Sequence, residues 1–350
     1  MLLINIGLLT PTQVLITTRH GIRTSLFKMP NAPAPWICYL HHYFNFESNT
    51  TTTPKTSMKL NFDVKNLLPG TCFLGNLADQ GFEQHRHLNT IWTELYPQFF
   101  QNKSYTPKTV RTTNKSRTRM SLCGQLRETS YASVSTYDLD SSVIPDACPA
   151  DKRYWYSIQN GYDFENARLK EIQTKTNWNV WWDTFSDDFR SRAAMNAAFP
   201  DTLTQDDIDL ANNMMDKYWC YMYQKNPNKD HQLLYSKMAI GAYCQDLIDL
   251  LNNKTQFHIL SGHDTVVAPL AGVLVQDWAC SQPDFASFIV LEVTDNMVKI
   301  RYRHSGDGQG EYVKQLACGE FECTVDQMKA QLKKYVMTVE ERKVRCETEF

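Results

Sequence analysis

The chain has 350 residues, enough for one large hydrophobic core or about two domains. Its 36 Lys and Arg residues against 38 Asp and Glu residues give a net charge of −2, which excludes a strongly basic nucleic-acid surface and an acidic disordered tail. With 42% hydrophobic and 21% charged residues, and no run of the roughly 18 apolar residues that span a membrane, the composition predicts a compact globular protein without stable membrane insertion.

The first half of the chain predicts two strands and two helices around a long irregular insert. Val14–Thr18 is continuous and rich in β-branched residues, which predicts a buried central strand that leads into an Arg- and His-rich turn. From about 28 to 70 the composition shifts to Pro, Asn and Thr, which is typical of an irregular insert. Apolar residues spaced three or four apart predict a helix over Gln80–Glu94, and Thr109–Arg111 predicts a short strand followed by another helix.

The second half predicts long helices and a hairpin. Thr204–Tyr223 is predicted to be a helix, with Thr202 or Thr204 as N-cap and acidic residues in the first turn. A longer amphipathic helix precedes the predicted strand Phe257–Leu260. Two further strands are predicted to form a hairpin about Asp295-Asn296, and Val325–Val336 is predicted to be the last helix.

The alternation of strands and helices predicts an α/β fold with a central mixed, mostly parallel sheet flanked by helices. Residues 146–230 contain many Trp, Tyr, Asn and Asp residues and no strand-like run, so an inserted α-helical cap domain is predicted there. The core is then split in sequence into 10–145 and 231–350, with the irregular insert at about 28–70.

The cysteines and glycosylation sequons favour an oxidising compartment. None of the ten cysteines has CxxC spacing, so a zinc ribbon or thioredoxin-like centre is not predicted. The alternatives are structural disulfides in a secreted, Golgi or lysosomal glycoprotein, or buried free thiols in a cytosolic enzyme. A signal peptide of about 15–30 residues would consume the first strand, so none is expected within this chain. The sequons begin at Asn49, Asn102, Asn114 and Asn253.

The turn after the first predicted strand carries the strongest chemical signal. Arg19, His20 and Arg23 lie at the carboxyl end of that strand, where open α/β sheets bind their ligands. Guanidinium groups match phosphate oxygens and keep their charge, while their proximity disfavours the imidazolium form of the histidine. Gly21 is expected to let the backbone approach a bound oxyanion. The turn therefore predicts a phosphate site with a neutral, nucleophilic imidazole.

Four motifs in order resemble those of the histidine acid phosphatases, a branch of the histidine phosphatase superfamily, and the resemblance extends along nearly the whole chain. The first is the RHGxR signature, and the others are a helix start, a second arginine segment and an HD dipeptide. They are Arg19-His-Gly-Ile-Arg23, Gly75-Asn-Leu-Ala-Asp-Gln-Gly81 with Gln84 and His85, Arg111-Thr-Thr-Asn-Lys-Ser-Arg117, and His263-Asp264. The resemblance implies a phosphoglycerate mutase-like fold.

The resemblance also implies a mechanism of phosphomonoester hydrolysis. His20 would form a covalent phosphohistidine, and Asp264 would protonate the leaving group. We expect a modestly raised pKa of Asp264 and an acidic pH optimum, because the acid must be protonated. No metal and no cofactor is implied. The phosphoryl oxygens would be held by Arg19, Arg23, Arg117 and His263.

Some details depart from the common pattern or suggest a branch. Ser25 stands where the family usually has proline, and Ile22 replaces the Asp common in animal acid phosphatases. Several segments, among them the C-terminal Cys346-x-x-x-Phe350, are more similar to the phosphoxylose phosphatases. The family pattern also implies disulfides between Cys148 and Cys346 and between Cys318 and Cys323.

The expected substrate is a small-molecule or glycan phosphomonoester, with no nucleic-acid partner and a homodimer as the assembly considered. Within the superfamily the alternative is a phytase-like inositol phosphate phosphatase, which would need additional Lys and Arg residues around the pocket. A mutase is less favoured, because the proton donor expected in a mutase is a Glu from another segment rather than the Asp of an HD dipeptide. From a different class, the alternative is a catalytically silent secreted binding protein on the same fold, which the intact functional positions disfavour.

Other notable residues have structural explanations. Trp178, Trp181 and Trp182 are expected to pack within the cap rather than form a substrate wall. The pairs Asp187-Asp188 and Asp206-Asp207 are expected at helix starts, where capping explains them. His85 is given a structural or site-rim role by resemblance, His87 is expected in solvent, and His41-His42 is expected in a loop.

Overall fold

The computed structural model describes residues 10–32, 35–38, 68–100, 109–113, 115–126, 135–137, 166–305 and 308–348. His41-His42, most of the irregular insert, and the sequons at Asn49, Asn102 and Asn114 lie outside these residues. Asn253 is exposed, as a glycosylated residue must be, and its glycosylation stays a prediction. In the described part of the chain, no helix combines the length and the apolar character needed to cross a membrane.

One mixed sheet forms the centre of the molecule. Its strands run in the order β3-β2-β4-β1-β5-β6-β7, and β8 pairs with β6. Every residue of β1 and β4 is buried, as their apolar and β-branched sequences predict. The strands are β1 (Gln13–Arg19), β2 (Thr109–Thr113), β3 (Ser135–Tyr137), β4 (Phe257–Gly262), β5 (Phe288–Thr294), β6 (Met297–Arg303), β7 (Glu311–Tyr312) and β8 (Cys323–Thr324).

The mixed sheet is confirmed, but its parallel strand pairs are confined to one half of the sheet. The pairs β3-β2, β2-β4 and β4-β1 are parallel. Strand β5 is antiparallel to β1, and the pairs of β6 with β5, β7 and β8 are also antiparallel. A hairpin joins β5 to β6, which accounts for the antiparallel pairing of these two strands. Its turn residues Asp295 and Asn296 have φ values of 48° and 66°, as a two-residue hairpin turn requires.

Helices cover both faces of the sheet, and their positions agree well with the periodicity. Thr204 caps α6 and forms a capping box with Asp207, which confirms the helix-start interpretation of that acidic pair. The predicted last helix ends three residues early, and a further helix follows it. The helices are α1 (Asp79–Leu95), α2 (Pro97–Phe100), α3 (Ser116–Leu126), α4 (Asn166–Thr176), α5 (Trp182–Met195), α6 (Gln205–Tyr223), α7 (Lys229–Asn252), α8 (Asp264–Leu274), α9 (Val325–Lys333) and α10 (Val339–Thr348).

Two hydrophobic clusters sandwich the sheet because alternate residues of each strand point to opposite faces. On one face Val14 and Ile16 pack with side chains of α1, α2 and α3. On the other face Leu15 belongs to a larger cluster that includes α4 to α9. The helices of the predicted cap therefore share this cluster with helices of the core. The division into a core and a cap at 146–230 stays a prediction.

Three disulfides are present among the described residues, and they support the oxidising-compartment interpretation. Cys38 is bonded to Cys72, Cys220 to Cys280, and Cys318 to Cys323. The last of these confirms the predicted local bridge. The predicted bridge from Cys148 to Cys346 lies outside the described residues and side chains.

Candidate active site

The two histidine motifs meet at one edge of the sheet. Strands β1 and β4 are parallel neighbours in which Arg19 pairs with Gly262, so the residues that follow them lie side by side. The His20 backbone N–H donates to the Gly262 carbonyl over 2.9 Å, and the rings of His20 and His263 are 5.6 Å apart. Segments more than two hundred residues apart in sequence thus converge where ligand sites of α/β sheets are expected.

The helix-start motif holds the turn of the first motif. A Cβ added to Gly21 would lie 2.3 Å from the Gly81 carbonyl oxygen, so the backbone segments at Gly21 and Gly81 are in close contact. Gly21 therefore permits a close approach to α1, and the expected approach of the backbone to an oxyanion stays a prediction. Gln84 accepts a hydrogen bond from the Ile22 backbone N–H over 2.9 Å, which fixes the turn further.

His20 is buried, and its surroundings favour the neutral form of its ring. It is 2% exposed, and its Nδ1 lies 2.9 Å from the Gly21 carbonyl oxygen. Because that oxygen can only accept, Nδ1 carries the proton and Nε2 keeps its lone pair. Burial, followed by the charges of Arg117, Arg23 and Arg19, lowers the pKa of His20 well below its ordinary value. Burial and the neighbouring cations therefore favour the uncharged imidazole.

The structure distinguishes the two arginines of the second arginine segment. Arg111 on β2 forms an ion pair with Asp246 on α7 over 2.6 Å. Arg117, in the first turn of α3, instead lowers the pKa values of both His20 and His263 by its charge. Arg19 and Arg23 are buried beside the same histidine. Three guanidinium groups consequently surround one imidazole, and Arg111 is not among them.

Exchange of Arg117 for alanine is expected to lower kcat/KM for a phosphomonoester by about 10²–10³-fold, since one charge-assisted contact in a dry site would be lost. Arg111→Ala is the matched control, and it should retain turnover within about twofold because its partner is Asp246. Steady-state kinetics on both variants decide the matter. If the larger loss fell on Arg111→Ala, the assignment of the second phosphate arginine would be wrong.

His263 caps the amino end of α8 and is held from the end of β2. Its Nε2 lies 2.9 Å from the Thr113 hydroxyl, which lies 2.8 Å from the Thr118 hydroxyl. Burial and then the charge of Arg117 lower the pKa of His263 well below its ordinary value. In this state the ring can offer phosphate a hydrogen-bond donor but no full charge.

Asp264 is the first residue of α8, and three donors surround its carboxylate. Arg19 Nη2 lies 2.8 Å and Gln282 Nε2 2.9 Å from Oδ2, and the Thr265 backbone N–H lies 2.9 Å from Oδ1. Burial would raise the pKa of Asp264, but these cationic and amide partners outweigh it and hold the pKa at about 2. The expectation of a modestly raised pKa is therefore wrong for the ligand-free state.

No family model matches the chain. A curated relative, counting factor 60 of Dictyostelium discoideum, is 22% identical over 91% of this chain and 84% of its own length. Hafnia alvei phytase in complex with tartrate superposes with a TM-score of 0.59 at 12% identity, over 96% of this chain and 99% of that one. The D. castellii phytase superposes with a TM-score of 0.56 at 15% identity, over 95% of this chain and 82% of that one. The Bifidobacterium longum multiple inositol polyphosphate phosphatase superposes with a TM-score of 0.53 at 10% identity, over 92% of each chain.

The chain has the histidine phosphatase fold. The resemblance seen in four sequence motifs is thus confirmed at the level of the whole architecture. Identities of 10 to 15% establish the fold and not the substrate. The preference for the phosphoxylose phosphatase branch stays a prediction.

On this histidine phosphatase fold, Asp187 is a site residue that the sequence interpretation placed wrongly. It lies in the middle of α5, not at its start, and its Oδ1 lies 2.5 Å from Arg23 Nη2. Its Oδ2 accepts from the Leu26 backbone N–H at 2.8 Å and from the Ser25 hydroxyl at 3.4 Å. Ser25 therefore supplies a contact that proline could not. The next residue, Asp188, pairs with Arg192 inside the protein.

Loop residues 281–285 also carry contacts to the site that no motif indicated. Arg19 donates to the Pro283 carbonyl, and Gln282 reaches Asp264. The Phe285 ring lies 4.4 Å from the Arg19 guanidinium carbon and 5.9 Å from the His20 ring. The aromatic face therefore stabilises a buried cation beside His20.

The remaining residues singled out in the sequence are structural. Trp182 is buried, Trp181 contacts Tyr218, and Trp178 contacts Phe185. These contacts confirm that the three tryptophans pack among the helices. Burial lowers the pKa of His85 to about 3, whereas His87 is exposed as expected. Across the described ranges, no cluster of His, Cys, Asp and Glu side chains is arranged to hold a metal ion.

Proposed function

We propose that the protein is a phosphomonoesterase that uses His20 as nucleophile and Asp264 to manage the proton of the leaving group. The observation that carries the proposal is the buried imidazole of His20, which has Nδ1 directed at the Gly21 carbonyl and lies within electrostatic reach of three guanidinium groups. A phosphoryl group is small, highly charged and electrophilic, and this arrangement meets all three properties at one point.

In the first step, Nε2 of His20 forms a bond to phosphorus while the ester P–O bond breaks. Arg19, Arg23 and Arg117 hold the three equatorial oxygens, and His263 donates a further hydrogen bond. The leaving oxygen takes a proton from Asp264 and departs as an alcohol. The products of this step are a phosphohistidine and the Asp264 carboxylate.

In the second step, water attacks the phosphohistidine and the N–P bond breaks. The Asp264 carboxylate accepts a proton from that water and returns it to the departing inorganic phosphate, so that Asp264 is ionised again. His20 then regains its neutral form. Its low pKa favours release of the phosphoryl group from nitrogen and keeps the imidazole ready for the next substrate.

The ionised state of Asp264 implies that the substrate brings the proton. A phosphomonoester has a second pKa of about 6, so at acidic pH it enters as a monoanion. When its oxygens bind Arg19, the charge of that guanidinium is shared between the phosphate and Asp264. The carboxylate then loses part of its cationic stabilisation and gains an anionic neighbour, and both changes favour its protonation by the substrate.

The charges around the phosphate site favour a substrate with one phosphate group over a phytase-like polyphosphate. Arg190 lies within electrostatic reach of Arg19, but it is paired with Asp216 at 3.0 Å and with Asp284 at 3.4 Å. Asp187 brings another carboxylate to Arg23. Additional phosphates on the side of Arg19 and Arg23 would meet these carboxylates instead of free cations, whereas Lys115 acts by its charge on the His263 side.

We propose the secretory pathway as the location, because disulfides are typical of oxidising compartments. Small-molecule or glycan phosphomonoesters stay the predicted substrate class. A homodimer and glycosylation stay predictions as well.

The test is hydrolysis by the purified, disulfide-bonded protein of nitrophenyl phosphate, an alkyl or sugar phosphate, and phytate at about pH 5. We expect turnover of both monophosphates and at least about tenfold lower kcat/KM for phytate. A higher kcat/KM for phytate would instead support a phytase-like inositol phosphate phosphatase. A folded protein that hydrolyses none of the three would be the silent binding protein.

A further inference from the structure

Gln282 is the only uncharged side chain among the described residues that bonds to the Asp264 carboxylate. Its Nε2 donates to Oδ2, which also accepts from Arg19, while the remaining donor to the carboxylate is a backbone N–H. Gln282 has no part in the phosphate cradle or in the proton transfer described above. Its position therefore needs a separate explanation.

The loop that carries Gln282 is held on three sides. The Gln282 backbone N–H donates to Asp216 Oδ1 on α6 over 2.9 Å. Two residues earlier, Cys280 is bonded to Cys220, also on α6. The Asp284 backbone N–H donates over 3.0 Å to the carbonyl of His304, which follows β6. A side chain on such a braced loop can hold its partner in place with little loss of conformational entropy on binding.

Arg19 faces both Asp264 and the proposed phosphate site. Its Nη2 bonds to Asp264 in the ligand-free protein, yet Arg19 is also one of the three cations that would bind phosphate. A bound phosphate would therefore share the charge of Arg19 with Asp264, while the Thr265 N–H still holds Oδ1. For Oδ2, Gln282 is the side-chain donor that phosphate does not engage.

We propose that Gln282 is a positioning residue for Asp264, whose amide keeps the carboxyl oriented while Arg19 shares its charge between Asp264 and the phosphate. This deepens the phosphomonoesterase proposal and rests on it for its role in turnover. The ground-state contact itself does not depend on turnover, which lets the two ideas be tested separately.

The charged groups that face Asp264 come from each neighbouring segment. Arg19 on β1, Arg23 in the following turn and the adjacent His263 act with Gln282 to lower the pKa of the carboxyl. Because the amide donor stabilises the ionised form, its removal raises that pKa. The effect on Asp264 titration therefore has a defined sign.

The first measurement follows the Asp264 carboxyl carbon by NMR as pH is lowered, in ligand-free protein labelled at aspartate, with Asp264→Asn to assign the signal. In Gln282→Leu we expect titration about one pH unit or more higher than in the wild type. Gln282→Glu keeps the size of the side chain but adds a carboxylate, so its shift should be larger. Circular dichroism at each pH confirms that the variants are folded.

Gln245→Leu is the matched control. Gln245 also donates its amide to an aspartate, Asp249 at 2.9 Å, but on the exposed surface of α7. This variant should leave Asp264 titration unchanged. If Asp264 titrated as in the wild type in both Gln282 variants, the proposal would be overturned whatever their activity.

The second measurement compares turnover of an alkyl phosphate and nitrophenyl phosphate by Gln282→Leu. A misplaced acid harms the poor leaving group most, so we expect about a tenfold loss on the alkyl substrate and at most about twofold on the aryl substrate. Equal losses on both would refute the role in turnover. Absence of turnover in folded wild-type protein would instead refute the phosphomonoesterase proposal, and the NMR result would still decide whether Gln282 holds Asp264.

Discussion

The His20→Ala protein is expected to fold and to lose at least about a thousandfold in turnover, because the entire covalent route passes through its Nε2. The loss should be as large for nitrophenyl phosphate as for alkyl phosphates, since every substrate must transfer its phosphoryl group to the same atom. Removal of a buried, neutral ring should leave the three cations in place. Inorganic phosphate is therefore expected to bind the variant still.

A rapid acid-free quench with radiolabelled substrate provides the direct measurement. The wild type should carry label that is acid-labile and base-stable, as a phosphorus–nitrogen bond is, and peptide mapping should place it at His20. His87→Ala is the matched control, because His87 is exposed on α1 and should retain both label and turnover. Label mapped to any other residue of the wild type would overturn the assignment of the nucleophile.

The parts of the site that could be predicted from sequence are those in which chemistry and strand ends coincide. His20 follows a continuous β-branched strand, and His263 follows another, so the carboxyl ends of parallel strands bring both to one edge. The choice of Arg117 over Arg111 came from motif resemblance, since both arginines stand near the same strand. The ion pair of Arg111 with Asp246 gives that choice a physical reason.

Residues that act across long sequence separations left no local pattern. Asp187 reaches Arg23 from the middle of a helix, and only the packing of α5 against the turn makes the contact. Its acidic neighbour made a helix start the natural interpretation, although the real start is Trp182. Gln282 lies in a loop whose composition resembles any turn, and its position depends on a disulfide and on Asp216.

The ionisation of Asp264 could not be predicted from the HD dipeptide. A carboxyl beside a histidine in a buried site suggests a raised pKa, because burial disfavours the charged form. The structure adds Arg19 and Gln282 at hydrogen-bond distance, and together with the charges of Arg23 and His263 they outweigh the effect of burial. The sign of the shift depended on tertiary contacts alone.

The loss of turnover on removal of the Asp264 carboxyl should depend on the leaving group. An alkoxide must be protonated as its P–O bond breaks, whereas nitrophenolate leaves largely unaided. Asp264→Asn should therefore lower alkyl phosphate turnover by about 10²–10⁴-fold and nitrophenyl phosphate turnover by no more than about tenfold. Asp209→Asn is the matched control, because Asp209 also accepts from a glutamine amide but on the exposed face of α6.

The pH dependence of the same two proteins separates proton transfer from mere orientation. Because the pKa of Asp264 is held at about 2 in the ligand-free protein, the required proton arrives on the substrate monoanion. Wild-type kcat/KM for alkyl phosphates should then fall as pH rises above about 6, where the monoester loses its second proton. His20 stays neutral through this range, because its pKa is already far lower, so it adds no opposing limb. In Asp264→Asn the alkaline limb should flatten, since the proton has lost the group that passes it to the leaving oxygen. Equal losses on both substrates with an unchanged limb would mean that Asp264 only orients Arg19 and His263, and that another group supplies the proton.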